Sequence, residues 1–322
     1  MKALVQDRYG PPERLQLREI ATPAVDETGV LVRIHAASVN ALDWHTTRGM
    51  PYLIRLSDGM RRPRHRVRGV DLAGRVEGVG AAVTRFAPGD AVFGGANGSF
   101  AEYAVTTADR LAPMPKGVEW GEAAALHVGG LTALQGLRDG ARVQPGQRVL
   151  IHGAGGGVGI FAVQLAGWLG AHVTAVTRTE CVEMVRSLGA NEVVDYQAED
   201  FTRRGERYDV LFDIGGNRPL LACRRVLTKR GTYLAVGAPA GRWLAPASRL
   251  GRAAALSPFV SQRFAPFLSR NDAGGLALLG ELAGAGQIRT VVDREYSLQE
   301  AIAAIRYVGE GRARGKVVVR VG

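Results

Sequence analysis

The 322-residue chain reads as an α/β protein of two domains: an antiparallel, barrel-like β domain and a doubly wound parallel sheet. Three observations predict this. Up to about residue 115, short apolar runs are separated by turns. From Gln147 onward, strand-like and helix-like segments alternate strictly. Between the first such strand and its helix stands HGAGGGVG (152–159), a glycine-rich turn.

The elements follow in order. LVRIHAASV (31–39) and VDLAGRVEGVG (70–80) are strand-like, and PGDAVFG (88–94) is a turn leading into a short strand. Two prolines and a glycine in LAPMPKGVEWGEAAAL (111–126) mark a domain boundary. RVLIHG (148–153) is a buried strand, and VGIFAVQLAGWLG (158–170) a helix with Val158, Ala162, Leu165 and Leu169 on one face. AHVTAVT (171–177) is the second strand, and Gly189 stops the helix after it. NEVVDY (191–196), YDVLFDIGG (208–216) and GTYLAVG (231–237) are the third to fifth strands, with QIRTVV (287–292) the expected sixth. The segment 244–268 has apolar, helix-like spacing. LQEAIAAIRYV (298–308) and KVVVRV (316–321) return to the first domain. The expected domains are 1–121 with 294–322, and 122–293.

Composition narrows the class. With 46% hydrophobic and 22% charged residues the chain is globular. No apolar run reaches the ~20 residues that span a bilayer, and the N-terminus has no signal-peptide core. Two cysteines, Cys181 and Cys223, form no disulfide framework, and a cytoplasmic location is expected. The net charge is +11, and residues 48–68 hold seven arginines against one acid, Asp58. That run reads as a solvated loop or as a rim attracting a phosphorylated cofactor or an acidic ligand. No nucleic-acid motif accompanies it.

The turn has a chemical use. Bound phosphate needs backbone N–H groups aimed at it, room for close approach and a positive helix end. Ala154, Gly156 and Gly159 match an A-x-G-x-x-G spacing between strand and helix, and Gly157 and Val158 complete the turn. NAD sites carry an acid roughly 20 residues further on, for the ribose 2′-hydroxyl. Here Thr177, Arg178 and Thr179 stand at that point, a set suited to a 2′-phosphate, so NADPH is the expected cofactor. Glu180 is acidic and close, but Thr177-x-x-Glu180 fits a capping box that would occupy it.

SVNALDWHTTRG (38–49), GVDLAGRVEGVG (69–80), FAPGDAVFG (86–94), GSFAEYAV (98–105), GGLTALQGL (129–137), AGGGVGIFAVQLA (154–166), SLGANEVVDY (187–196) and ARGKVVV (313–319) lie in order along the chain. With these segments it resembles the medium-chain dehydrogenase/reductase superfamily, in the zinc-free quinone oxidoreductase branch. The resemblance implies a GroES-like β domain joined to a Rossmann domain, a quinone or enone as substrate, no membrane partner and a homodimer. Zinc relatives place metal ligands where this chain has Asn40–Asp43 and Gly69-Val70-Asp71, so no zinc is expected.

By the same resemblance Asn40 lines the nicotinamide and substrate site, with Asp43 and Trp44 shaping its loop. His45 stands where several relatives carry Tyr. It either donates a proton or hydrogen bond or has an ordinary packing role. Tyr52 is a second candidate donor. Thr132 is expected near the nicotinamide ribose. Tyr196 meets the 2′-phosphate or packs in the core. Gly237 and Ala238 lie at the sheet's ligand-binding edge. Lys316 reaches the cofactor or is a solvated surface lysine. His152 is expected to be a buried, satisfied histidine, and His127 receives no role. Two alternatives remain: an enoyl-thioester reductase, and a non-catalytic NADPH-binding protein with an acidic or RNA partner.

Overall fold

The computed structural model describes residues 1–236 and 260–322. The chain divides into two units, Met1–Leu131 with Asn271–Gly322, and Thr132–Arg270.

In the first unit, β1 (Lys2–Val5) pairs antiparallel with β2 (Gln16–Glu19). The frame of the unit is β3 (Gly29–Val39), an eleven-residue strand. It pairs antiparallel with β4 (Asp71–Val79) along its length, with β6 (Tyr103–Thr107) at its start and with β15 (Lys316–Arg320) at its end. β5 (Ala91–Gly95) and β7 (Leu111–Pro113) extend the sheet beyond β4, and β14 (Val292–Ser297) lies parallel to β15 at the other edge. A bulge at His35 changes which residues of β3 are core. Before it, Val30, Val32 and Ile34 pack with Leu72, Val76 and Phe86; after it, Ala37 and Val39 pack with Val317, Val319 and the helix Ala301–Gly309. The tail therefore belongs to this unit.

The second unit carries, among the described residues, a six-stranded parallel sheet: β8 (Arg148–His152), β9 (His172–Thr177), β10 (Glu192–Asp195), β11 (Tyr208–Asp213), β12 (Leu227–Ala235) and β13 (Arg263–Pro266). The order β10-β9-β8-β11-β12-β13 is the Rossmann order, 3-2-1-4-5-6 when counted from β8. Leu150, Val176, Val194, Phe201, Leu211 and Tyr233 form its core. This is the combination of GroES-like and Rossmann folds that the sequence suggested.

Two expectations are corrected. The sixth strand is β13, whose Phe264 packs on Tyr233 with ring centroids 5.4 Å apart. Residues 287–291 form no strand, and the chain extends only from Val292, alongside β15. An alternating apolar pattern marks a strand without naming its sheet. Residues 263–266 of the supposed helical segment are likewise extended, while 244–259 lie outside the described residues.

Candidate functional site

Three neighbouring strands bring a buried polar cluster together in the first unit. β3 ends at Val39; Asp71 opens β4, opposite Ser38, and Lys316 opens β15, one residue before the partner of Val39. Asn40 follows β3 directly and caps the helix Ala41–Arg48, where its backbone N–H donates to Asp43 Oδ2 at 2.7 Å. Its side-chain Nδ2 donates to Asp71 Oδ2 at 2.8 Å, while its Oδ1 accepts from Lys316 Nζ at 2.6 Å. Lys316 Nζ lies 3.4 Å from the same carboxylate oxygen, which also accepts from Ser38 Oγ at 3.1 Å. Asp71 Oδ1 faces His127 Nδ1 at 3.0 Å and the Val128 N–H at 3.1 Å.

All these side chains are buried, so each needs its partners. Burial pushes the Asp71 carboxyl up, but the Lys316 ammonium and the bond from His127 outweigh it and hold the carboxyl below its ordinary range. Gly95 pairs with Asp71 in the sheet, and a Cβ there would stand 2.2 Å from the His127 ring. Glycine at 95 thus lets the imidazole reach the carboxylate. Among the described residues Asp43 has no such cation in contact, and burial raises its carboxyl to about 7.

His45 is half-buried, with Nδ1 3.0 Å from the Met50 carbonyl. A carbonyl only accepts, so Nδ1 carries the proton of the neutral ring and Nε2 is left as an acceptor. Burial holds the His45 pKa below its ordinary value, which favours that neutral form. Tyr52 is half-buried in a short 3₁₀ turn, its ring under the Arg55 guanidinium at 4.7 Å.

The second unit supplies the turn. Gly153 and Ala154 donate their N–H groups to Val176 O on β9, anchoring the loop, and Gly156 N–H donates to Gly153 O. The helix then runs Gly159–Trp168. A Cβ on Gly159 would stand 2.2 Å from Gly153 O, so only glycine lets the helix start this close to the turn. A Cβ on Gly156 would meet nothing nearer than 3.5 Å, so that position opens outward. Among the described residues the N–H groups of Gly157, Val158 and Gly159 carry no hydrogen bond. Three bare donors at a helix N-terminus fit a phosphate group.

At the end of β9, Thr177 is buried beside Gly155, and Arg178 follows with Nε 3.8 Å from Glu180 Oε2. The expected capping box does not form. Thr177 is still strand, accepting the Tyr196 N–H at 2.9 Å, and the next helical turn begins only at Thr179. The Thr179 hydroxyl is engaged with Asp195 Oδ2 at 2.6 Å. Tyr196 is 40% exposed, so the core-packing reading fails. Thr132 is half-buried, with its hydroxyl 3.1 Å from Ser269 Oγ. Lys316 is 1% exposed, which removes the solvated-surface reading. Gly237 and Ala238 lie outside the described residues.

His152 is buried and bonded to Asp213 Oδ1 at 2.7 Å, as expected. Asp71 and His127 were missed as members of the Asn40 cluster. Among the described residues no group of three or more His, Cys, Asp or Glu side chains is placed to hold a metal ion. No helix among them is long and apolar enough to cross a membrane.

A GroES-like unit with a Rossmann unit, whose glycine turn offers free donors, defines the class of two-domain dehydrogenases and reductases. Comparison with known proteins narrows it. Residues 26–116 match the alcohol dehydrogenase GroES-like domain, and residues 188–319 match the family described as zinc-binding dehydrogenase. The chloroplast envelope quinone oxidoreductase homolog of Arabidopsis thaliana is 31% identical, over 99% of this chain and 98% of its own. A 2-methylene-furan-3-one reductase of Solanum lycopersicum is 29% identical, over 99% of this chain and 79% of its own. The quinone oxidoreductase structure from Coxiella burnetii superposes with a TM-score of 0.89 at 29% identity, covering 100% of this chain and 99% of that one. The chain belongs to the NAD(P)-binding medium-chain dehydrogenase/reductase superfamily, in its quinone oxidoreductase branch.

Proposed function

We propose that the protein is an NADPH-dependent, zinc-free reductase of quinones or α,β-unsaturated carbonyls. The observation that carries the cofactor choice is Arg178 at the end of β9, where an NAD site would hold a carboxylate. When bound, the dinucleotide supplies a hydride from nicotinamide C4. The N–H groups of Gly157, Val158 and Gly159 hold its pyrophosphate, and Gly156 permits close approach. Ala154 and Thr177 keep the turn packed against β9. Arg178 and Tyr196 meet the 2′-phosphate, and the Thr132 hydroxyl the nicotinamide ribose. Gly237 and Ala238, which follow β12 in the sequence, are further candidate contacts to the dinucleotide.

Zinc independence is supported by the donor set around Asp71, where the cation in contact is the Lys316 ammonium. A conjugated acceptor delocalises the charge that arrives with hydride, so a metal is not required; what remains is orientation and a hydrogen-bond donor. Asn40, locked between Asp71 and Lys316, orients the acceptor, and Lys316 acts through it. Tyr52 donates to the developing oxygen anion. His45 carries its proton on Nδ1 and offers Nε2 only as an acceptor, so it takes a positioning role and not that of the acid. Two buried free cysteines and the family resemblance support a cytoplasmic homodimer.

The test is NADPH oxidation followed by absorbance with a simple quinone, an alkenal, its saturated aldehyde and a crotonyl thioester. Turnover of the quinone and alkenal, none of the saturated aldehyde and no effect of a chelator are expected. Equal turnover of the saturated aldehyde, or stoichiometric zinc in the purified enzyme, would overturn the reading.

A further inference from the structure

We propose that an arginine-lined cavity of the first unit binds an oligophosphate, a ligand presenting two or more linked phosphates. The cavity measures about 1180 Å³ and is lined by seven arginines against a single carboxylate, Asp7. That carboxylate is already shared: Arg66 Nε donates to its Oδ1 at 3.0 Å and Arg18 Nη2 meets its Oδ2 at 2.8 Å. It cannot neutralise the rest.

The walls are built rather than loose. Arg55 lies over the Tyr9 ring, 4.6 Å from its centroid, and donates from Nε to the Gly49 carbonyl. Arg14 Nη1 donates to Tyr9 O at 3.0 Å. The segment carrying Arg61, Arg62 and Arg64 is tied down by Tyr9 OH donating to Gly59 O at 2.7 Å, and by the buried pair of Arg68 and Asp58 at 3.0 Å. Among the described residues the side chains of Arg8, Arg61, Arg62 and Arg64 have neither an ion pair nor a hydrogen bond.

The chemistry selects the ligand. A concave surface of one sign focuses its field, and repulsion among guanidinium groups is relieved by a compact polyanion. Planar guanidinium forks match phosphate oxygens, and several forks together match a chain of phosphates better than one carboxylate. Single-stranded nucleic acid would need stacking platforms, and the cavity's aromatic ring, Tyr9, is buried beneath Arg55. Leu53, Leu56 and Met60 nearby in sequence are 41%, 71% and 65% exposed, which makes an anionic membrane the rival to be tested.

The inference goes beyond the proposed activity and does not depend on it. Protein saturated with NADPH, which occupies the glycine turn, is titrated calorimetrically with inorganic tripolyphosphate at roughly 0.15 M salt. Saturable binding is expected, weakened about tenfold or more by the combined Arg61→Gln, Arg62→Gln and Arg64→Gln substitution and unchanged by Arg186→Gln. These three arginines are exposed, so the variant should unfold at the wild-type temperature. Absence of saturable binding, or equal binding by the triple variant, overturns the proposal. So does affinity for an oligothymidylate that grows with its length, or for phosphatidylglycerol vesicles that Leu56→Ser abolishes, in the absence of tripolyphosphate binding. Should NADPH itself fail to bind, the cofactor reading falls, and the titration without it still decides the cavity by the same triple variant.

Discussion

Each unit buries one aspartate against one histidine, and the two pairs differ in what surrounds them. Asp213, at the end of β11, accepts from His152 Nδ1 at 2.7 Å, Tyr233 OH at 2.6 Å and the Gly216 N–H at 2.8 Å. These contacts tie together the ends of neighbouring strands and the loop that follows. Asp71 faces His127 at 3.0 Å and in addition the Lys316 ammonium, with the Asn40 carboxamide between them. The first pair organises a sheet edge. The second is organised around a fixed cation, and its product is an amide with both ends assigned: Nδ2 must face the carboxylate and Oδ1 the ammonium. One buried His–Asp contact thus serves packing, and another serves positioning.

The largest effect that would break this contrast concerns stability. Asp71→Asn leaves Lys316 buried without its counter-ion and should cost about 3–5 kcal/mol. Asp213→Asn removes a carboxylate from a set of imidazole, hydroxyl and backbone donors and should cost about 1–3 kcal/mol. Denaturant midpoints at constant slope measure both. Equal losses would mean that the Lys316 contact contributes nothing special. Adding Lys316→Met to Asp71→Asn should recover much of the loss, since it removes the stranded charge.

Next in size is the cofactor preference. Arg178→Gln should weaken NADPH by about ten- to a hundredfold and NADH little, because a bond to a charged group contributes about 1.5–3 kcal/mol. Parallel titrations of both dinucleotides decide it; an equal loss for the two would place the 2′-phosphate elsewhere. A glycine contrast sharpens the same region. Gly159→Ala meets the Gly153 carbonyl and should destabilise the fold by about 1–3 kcal/mol. Gly156→Ala has room, so it should fold as wild type yet bind either dinucleotide more weakly.

The contrast also explains what could be read from the sequence. The glycine turn was legible because close backbone approach leaves a compositional mark within eight residues, and Arg178 because its distance from the turn is constrained by one strand–helix–strand passage. The Asn40 cluster had no local pattern. Asp71 comes 31 residues after Asn40, His127 comes 56 after Asp71 and Lys316 comes 245 after it. Only the pairing of β4, β3 and β15 brings them together. One faint signal was present: Asp71 and Lys316 each open a strand whose following residues are apolar and buried. The capping box misled because Thr177 is committed to strand pairing, so the helical turn starts one residue later than the motif required. The sixth strand misled because the apolar spacing of 287–292 suggested a strand where none forms before Val292, which pairs with β15.

The smallest effect isolates Asp43, the carboxylate beside the cluster that has no cation in contact. Its pKa rises to about 7 through burial, well above the ordinary carboxylate value of 3.8. Between those values the folded state holds more protons than the unfolded one, so stability falls as pH rises and levels off above about 7. From pH 6 to pH 8 the loss should be about 1 kcal/mol. Asp71 has the opposite sign: its depressed pKa adds stability above the ordinary carboxylate range, lost only as pH falls through the folded value, so it does not contribute in this window. Asp43→Asn keeps an oxygen to accept the Asn40 N–H while removing the titration. Between pH 6 and pH 8 the wild-type urea midpoint should therefore fall relative to that of the variant, while the depressed pKa values of His35, His45 and His65, which give the opposite slope, act in both proteins. A midpoint difference between the two proteins that does not change with pH would assign the titration to another group and leave Asp43 charged beside Asn40.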